Sequence, residues 1–129
     1  MNAPVARWAV RLAAAAETDY AEIVRWTAQQ FGLRQACTYA ATLDAALAAL
    51  INGPGVAGAR RRGDIGPDLW SLHVARQRRT GRHVVIFRAP DGAAVIEVLR
   101  VLHDAMDLPR HLPVHGDMPE GDSPAGSVK

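Results

Sequence analysis

Apolar and polar positions along this 129-residue chain change period several times, and each change marks an element. Residues 5–12 alternate: Trp8, Val10 and Leu12 fall on one side, Arg7, Ala9 and Arg11 on the other. A period of two predicts a half-buried strand. From about residue 14 the spacing becomes helical. Tyr20, Ile23, Val24, Thr27 and Phe31 form an inward stripe, with Asp19, Glu22, Arg25 and Gln29 toward water. Gly32 is a suitable stop. A second helical stripe follows through Ala36, Ala40, Leu43, Leu47 and Leu50, widened by Tyr39 and Ala46 and ended by Gly53-Pro54-Gly55. So short a break at Gly32 folds the two helices into an antiparallel hairpin.

Residues 53–67 read as a Gly- and Pro-rich loop carrying Arg60, Arg61 and Arg62. Three strands are expected after it. Trp70, Leu72, Val74 and Arg76 share one face of the first, residues 83–88 form the second, and Pro90-Asp91-Gly92 marks a turn. The last strand, residues 94–103, is nearly all apolar and belongs in the middle of the sheet. The order β-α-α-β-β-β predicts an α+β fold, with the hairpin on one face of a small, mostly antiparallel sheet of four strands. The opposite face is expected to be bare and to carry many of the arginines. Residues 113–129 are polar and rich in Gly and Pro, and are expected to form a flexible tail behind a domain spanning residues 1–112.

Composition narrows the class. Hydrophobic residues make up 49% and charged residues 22%, an ordinary globular balance. A single cysteine, Cys37, excludes an internal disulfide framework and a cysteine zinc cluster. Arg7 and Arg11 interrupt what could pass for a signal-peptide centre, and no apolar run approaches the roughly 20 residues of a membrane span. A cytoplasmic protein without membrane contact is expected. The charge is unevenly placed: residues 60–88 hold eight arginines against Asp64 and Asp68, whereas residues 13–59 hold two against four acids. Such a field favours an anionic partner, whether nucleic acid or an acidic protein segment.

Candidate chemistry is sparse. Cys37 has no nucleophile motif around it, and no phosphate-binding loop or serine elbow occurs. His111 and His115 share helical spacing, but Pro113 lies between them, so no metal site is expected and no cofactor is implied. Phosphodiester cleavage is the remaining enzymatic option. Arg76, Arg82, Arg88 and Arg100 could stabilise charge, and His83 and His103 could move protons. Set against it is a solvated face that binds a partner.

Residues 21–32 (AEIVRWTAQQFG), 71–92 (SLHVARQRRTGRHVVIFRAPDG) and 98–112 (VLRVLHDAMDLPRHL) resemble ParE-type toxins of the RelE/ParE superfamily, the toxin halves of type II toxin–antitoxin modules. The resemblance runs over about residues 4–112. It implies the strand, hairpin and three-strand fold reached above. It also implies neutralisation by a ParD-like antitoxin whose acidic C-terminal segment folds on the toxin, and DNA gyrase as the target. RelE-like relatives instead cut mRNA on the ribosome, commonly with a tyrosine near the C-terminus. Here Asp104 follows His103, and no tyrosine lies beyond Tyr39. This departure favours a toxin that binds. Arg76, Arg82, Arg88, Arg100 and His103 are then the expected electrostatic contacts, with Trp70 and Leu72 as apolar anchors. If the chain were a ribonuclease, His83, His103, Arg82 and Arg100 would carry the chemistry.

Overall fold

The computed structural model describes residues 7–106; the expected tail lies outside the described residues. The order is β1 (Ala9–Leu12), α1 (Ala14–Phe31), α2 (Leu33–Ala49), a 3₁₀ turn (Leu50–Asn52), β2 (Arg60–Arg61), β3 (Leu69–His73), β4 (His83–Arg88) and β5 (Val95–His103). The strands form one sheet in the order β1-β5-β4-β3-β2. β1 runs parallel to β5, and every other pair is antiparallel. The α+β class, the helical hairpin and the inner place of β5 agree with the sequence. The sheet has five strands rather than four, because Arg60 and Arg61 pair with Ser71 and Trp70 as a two-residue edge strand. So short and basic an edge resists pairing with another chain. The first strand of the meander also stops at His73, which leaves Arg76 in the loop that follows.

Gly32 ends α1 and begins α2 as a single residue. Its φ of 96° is one that a side chain rarely tolerates, and its N–H donates to the Ala28 carbonyl while its own carbonyl accepts from Ala36. The two helices are further tied by Tyr20, whose hydroxyl donates to Asp44 at 2.7 Å. Burial and that carboxylate push the phenol up to about 12.

The main core lies between the helices and the sheet, around Leu43, Leu50, Leu72, Val85, Phe87 and Val98. A second, smaller cluster lies on the other face: Ile65, Leu69, Val84, Ile86 and Leu102. That finding corrects the expectation of a bare arginine face. β4 reads HVVIFR, so its alternation sends Val85 and Phe87 toward the helices but Val84 and Ile86 outward. The turn after β2 sets Ile65 onto them, closed by the Ile65 N–H to the Arg62 carbonyl and by a two-point Arg62–Asp64 pair at 2.8 and 2.6 Å.

Two residues of α1 depart from the expected stripe. Phe31 is 64% exposed, as the last residue of the helix. Asp19, expected in water, points at β5 instead. β1 ends opposite Val98, and the next open amide, that of Val101, donates to Asp19 at 2.9 Å. A bulge at Leu99 turns Arg100 the same way: Ile86 pairs with Arg100, but Phe87 pairs with Val98. Arg100 then grips Asp19 with two bonds of 2.7 and 2.9 Å.

Candidate functional site

Three strands finish at one end of the sheet, and each carries a histidine there: His73 ends β3, His83 begins β4 and His103 ends β5. His83 and His103 are cross-strand partners, with ring centroids 5.4 Å apart and edge to face. From α2, Tyr39 brings its hydroxyl to 2.7 Å from His83 Nδ1. The backbone N–H of Arg82 donates to the same oxygen at 3.0 Å. The contact to His83 is made either by the phenol donating to Nδ1 or by an Nδ1–H donating to the phenol oxygen, according to the ring's tautomer. Burial, and after it the charge of His103, hold His83 down to about 4, so it is neutral at pH 7.

His73 and Asp104 form a second network. The Ala75 N–H donates to His73 Nδ1 at 3.0 Å, so that nitrogen carries no proton and Nε2–H donates to Asp104 Oδ2 at 2.9 Å. Arg82 reaches both Asp104 oxygens at 3.2–3.3 Å. The His73 bond first, and the Arg82 bond second, pull the Asp104 carboxyl down to about 2. His103 repeats the His73 device: the Ala105 N–H donates to its Nδ1 at 3.1 Å. His73 and His103 therefore have Nδ1 occupied as an acceptor and Nε2 as the proton-bearing nitrogen. His73 gives that proton to Asp104.

The loop joining β3 to β4 borders this end. Gln77 and Arg78 take successive positive φ values of 53° and 71°, which side chains adopt at a cost of order 1 kcal/mol each. Arg79 donates to Thr42 Oγ1 at 3.3 Å, which holds the loop against α2. Gly81 permits the close approach: a Cβ there would lie 2.7 Å from the Tyr39 hydroxyl and 2.7 Å from Val74 Cγ2.

The residues singled out from sequence are thus dispersed. His83, His103 and Arg82 meet at the strand ends. Arg100 is 32% exposed and occupied by Asp19. Arg88 lies across from Glu97 at 3.5 Å, on the far part of β4. Arg76 is half-buried, with one bond to the Ala57 carbonyl and a buried Nε that has no partner among the described residues. Leu72 is core, 1% exposed. Trp70 is half-buried, stacked on Phe87 and covered by the Arg61 guanidinium 5.2 Å from its ring. Sequence reasoning missed Tyr39, His73 and Asp104. Tyr39 matched a core stripe, and only tertiary packing brings it 44 residues along the chain to His83. The one local signal was the repeated spacing of His73 to Ala75 and His103 to Ala105.

A family model for the ParE toxin of type II toxin–antitoxin systems, parDE, matches residues 10–108. The chain belongs to the ParE toxin family. Toxin ParE1 of Caulobacter vibrioides is 30% identical to it over 102 residues, covering 79% of this chain and 95% of that protein. A solved structure, the chromosomal ParDE toxin–antitoxin system from P. aeruginosa, superposes with a TM-score of 0.59 at 19% identity, covering 74% of this chain and 95% of the other. That likeness is one of fold. The ParE assignment and the hairpin-on-sheet architecture thus agree with the resemblance read from residues 21–32, 71–92 and 98–112.

Proposed function

We propose that this ParE-family toxin arrests growth in the cytoplasm by gripping a protein target such as DNA gyrase. In this reading a ParD-like antitoxin neutralises it, and the pair stabilises the replicon that encodes it. Family membership supports the toxin role. The observation that carries binding over bond cleavage is the state of the three histidines. A general base needs an unprotonated nitrogen facing its substrate. Here the Nδ1 of His73 and of His103 already accepts from the Ala75 and Ala105 N–H groups, and that of His83 is taken up by the Tyr39 hydroxyl. The test is supercoiling by purified gyrase with the purified chain added. Inhibition relieved by the product of the adjacent reading frame is expected; gyrase untouched at a large excess of toxin would overturn the gyrase reading.

One observation favours a second reading, cleavage of mRNA. The aromatic hydroxyl sought near the C-terminus is supplied by Tyr39, 2.7 Å from His83. Primer extension after induction decides between them. New cleavage sites that vanish in His103→Ala would establish the nuclease, and unbroken transcripts would remove it.

A further inference from the structure

The segment joining β3 to β4 is fixed at its two ends and strained between them. At one end the Val74 N–H donates to the His83 carbonyl at 3.0 Å; at the other the Asp104 N–H donates to the Arg82 carbonyl at 2.8 Å. Between these points Gln77 and Arg78 both have positive φ, and the Arg79 N–H closes on the Arg76 carbonyl at 3.0 Å. Two positive φ values under such a bond are the marks of a type I′ turn, which favours Asn-Gly, Asp-Gly or Gly-Gly at its centre. Gln-Arg is a poor occupant, so the turn is strained. Arg76 adds a second unfavourable feature. Its Nε is buried and has no partner among the described residues, while its Nη2 donates to the Ala57 carbonyl at 3.3 Å. A buried donor left unpaired raises the energy of this arrangement further.

What holds the segment in place comes from α2. The Tyr39 hydroxyl accepts from the Arg82 N–H at 3.0 Å, and Thr42 Oγ1 accepts from Arg79 Nη1 at 3.3 Å. Tyr39 and Thr42 stand at i and i+3, so one face of the helix supplies both contacts. Gly81 lets the backbone lie against the ring: a Cβ there would come within 2.7 Å of the Tyr39 hydroxyl and 2.9 Å of its Cε1. Space rather than backbone conformation favours glycine at this position, because its φ is not positive. Behind the contact stand Tyr39 and His83, both half-buried, with the hydroxyl 2.7 Å from Nδ1. Burial of this kind is the first cause of the low His83 value.

We infer that residues 75–81 form a strained lid, latched by Tyr39 and Thr42 over the Tyr39–His83 pair, and that its opening brings that phenol and imidazole into water. Closed, the lid keeps the two latch bonds and shelters the pair. Open, it relieves the turn and gives Arg76 Nε to water. Strain and contact thus oppose each other, which is how a segment comes to open well before the rest of the fold. Because both latch residues belong to α2, displacement of that helix and release of the lid are one event. The hairpin and the strand ends are coupled through this one element with two arrangements. The lid is a movement of this chain alone, and it stands under either reading of function above.

Amide hydrogen exchange on the full chain measures the opening. The Arg79 and Arg82 amides should be protected at least about a hundredfold less than that of Val101 in β5, although all three are bonded. Gln77→Asn with Arg78→Gly installs the residues the turn prefers. Protection at Arg79 and Arg82 should then rise about tenfold, and the urea midpoint should increase. Gly81→Ala wedges the lid away from Tyr39. Protection at Arg82 should fall at least about tenfold with Val101 unchanged, and the His83 ring, followed by NMR titration, should move up from about 4 toward its ordinary value. The groups facing that ring are Tyr39 from α2, His103 and Asp104 at the end of β5, His73 from β3 and Asp19 from α1. Every one of them is kept in both variants, so a shift reports water rather than altered charge. Wild-type chain that protects Arg79 and Arg82 as well as Val101 would overturn the lid, because nothing would open short of global unfolding. Unchanged protection or a lower midpoint in the double variant would overturn the strain, and a His83 ring still near 4 in folded Gly81→Ala would overturn the shelter. If Gly81→Ala does not fold, the wild-type comparison and the double variant decide the matter.

Discussion

Two arginine–aspartate pairs bond the same chemical groups and serve different ends. Arg100 and Asp19 are 32% and 12% exposed, their bonds are 2.7 and 2.9 Å long, and the same carboxylate also satisfies the Val101 amide. Arg82 and Asp104 are 70% and 23% exposed, and their bonds stretch to 3.2–3.3 Å. The first pair fastens α1 to a bulged strand where β1 has ended. The second leaves a guanidinium in water, at the strand ends where His73 meets the same carboxylate. Charge that is sequestered builds the fold, and charge that is loosely held remains available to a partner. A count of charges along the sequence, which gives Arg82 and Arg100 the same weight, does not show that distinction.

Breaking the first pair should cost the most. Asp19→Ala strands a half-buried guanidinium and a backbone N–H together, and should lower stability by about 2–3 kcal/mol. Urea unfolding measures it, and a loss below about 0.5 kcal/mol would show that the pair does not fasten the helix. Next comes Tyr39→Phe, which removes the hydroxyl that pairs with His83 Nδ1 and accepts from the Arg82 N–H, without changing shape. It should cost about 1–2 kcal/mol by the same measurement.

Acid should separate the two networks at the strand ends. His83 is held down to about 4, from an ordinary value of 6.5. Between those values the unfolded chain binds a proton that the folded chain refuses, so stability should fall as pH drops from about 6.5 to 4. Asp104, held down to about 2 from 3.8, acts lower: its contribution is present above 3.8 and lost as pH falls toward 2. A pH series of urea midpoints should show the upper decline in the wild type and lose it in His83→Phe. An unchanged decline would place the proton elsewhere. The smallest effect is expected from Arg82→Ala, because water screens so exposed a pair, and the same urea midpoints should barely move.

How far the sequence disclosed this follows from the same contrast. Period-two and helical spacing are local, so Trp8, Val10 and Leu12 and the stripe from Ala36 to Leu50 could be read directly. Gly32 announced its turn through its own backbone freedom. Phe31 misled because periodicity along a helix does not say which of its residues the rest of the fold covers. Asp19 misled because an open amide opposite a bulge exists only once β1 and β5 have paired. The outer-face cluster was legible in the alternation of Val84 and Ile86, but its cover, Ile65, sits in a loop with no period to follow. At the candidate site His83 and His103 were found as isolated residues. Their partners were not, because Tyr39 lies on another element and the Ala75 and Ala105 amides have no identity in a sequence of side chains.

The most direct test of the account is the protonation state of His73 and His103. Long-range ¹H–¹⁵N correlation spectra of the isotopically labelled chain at pH 8 read which ring nitrogen carries the proton. Both should appear as the Nε2–H form, with Nδ1 unprotonated. An Nδ1–H tautomer at His103 would expose an acceptor at Nε2, and the strand ends would then be equipped for proton abstraction rather than for holding a partner.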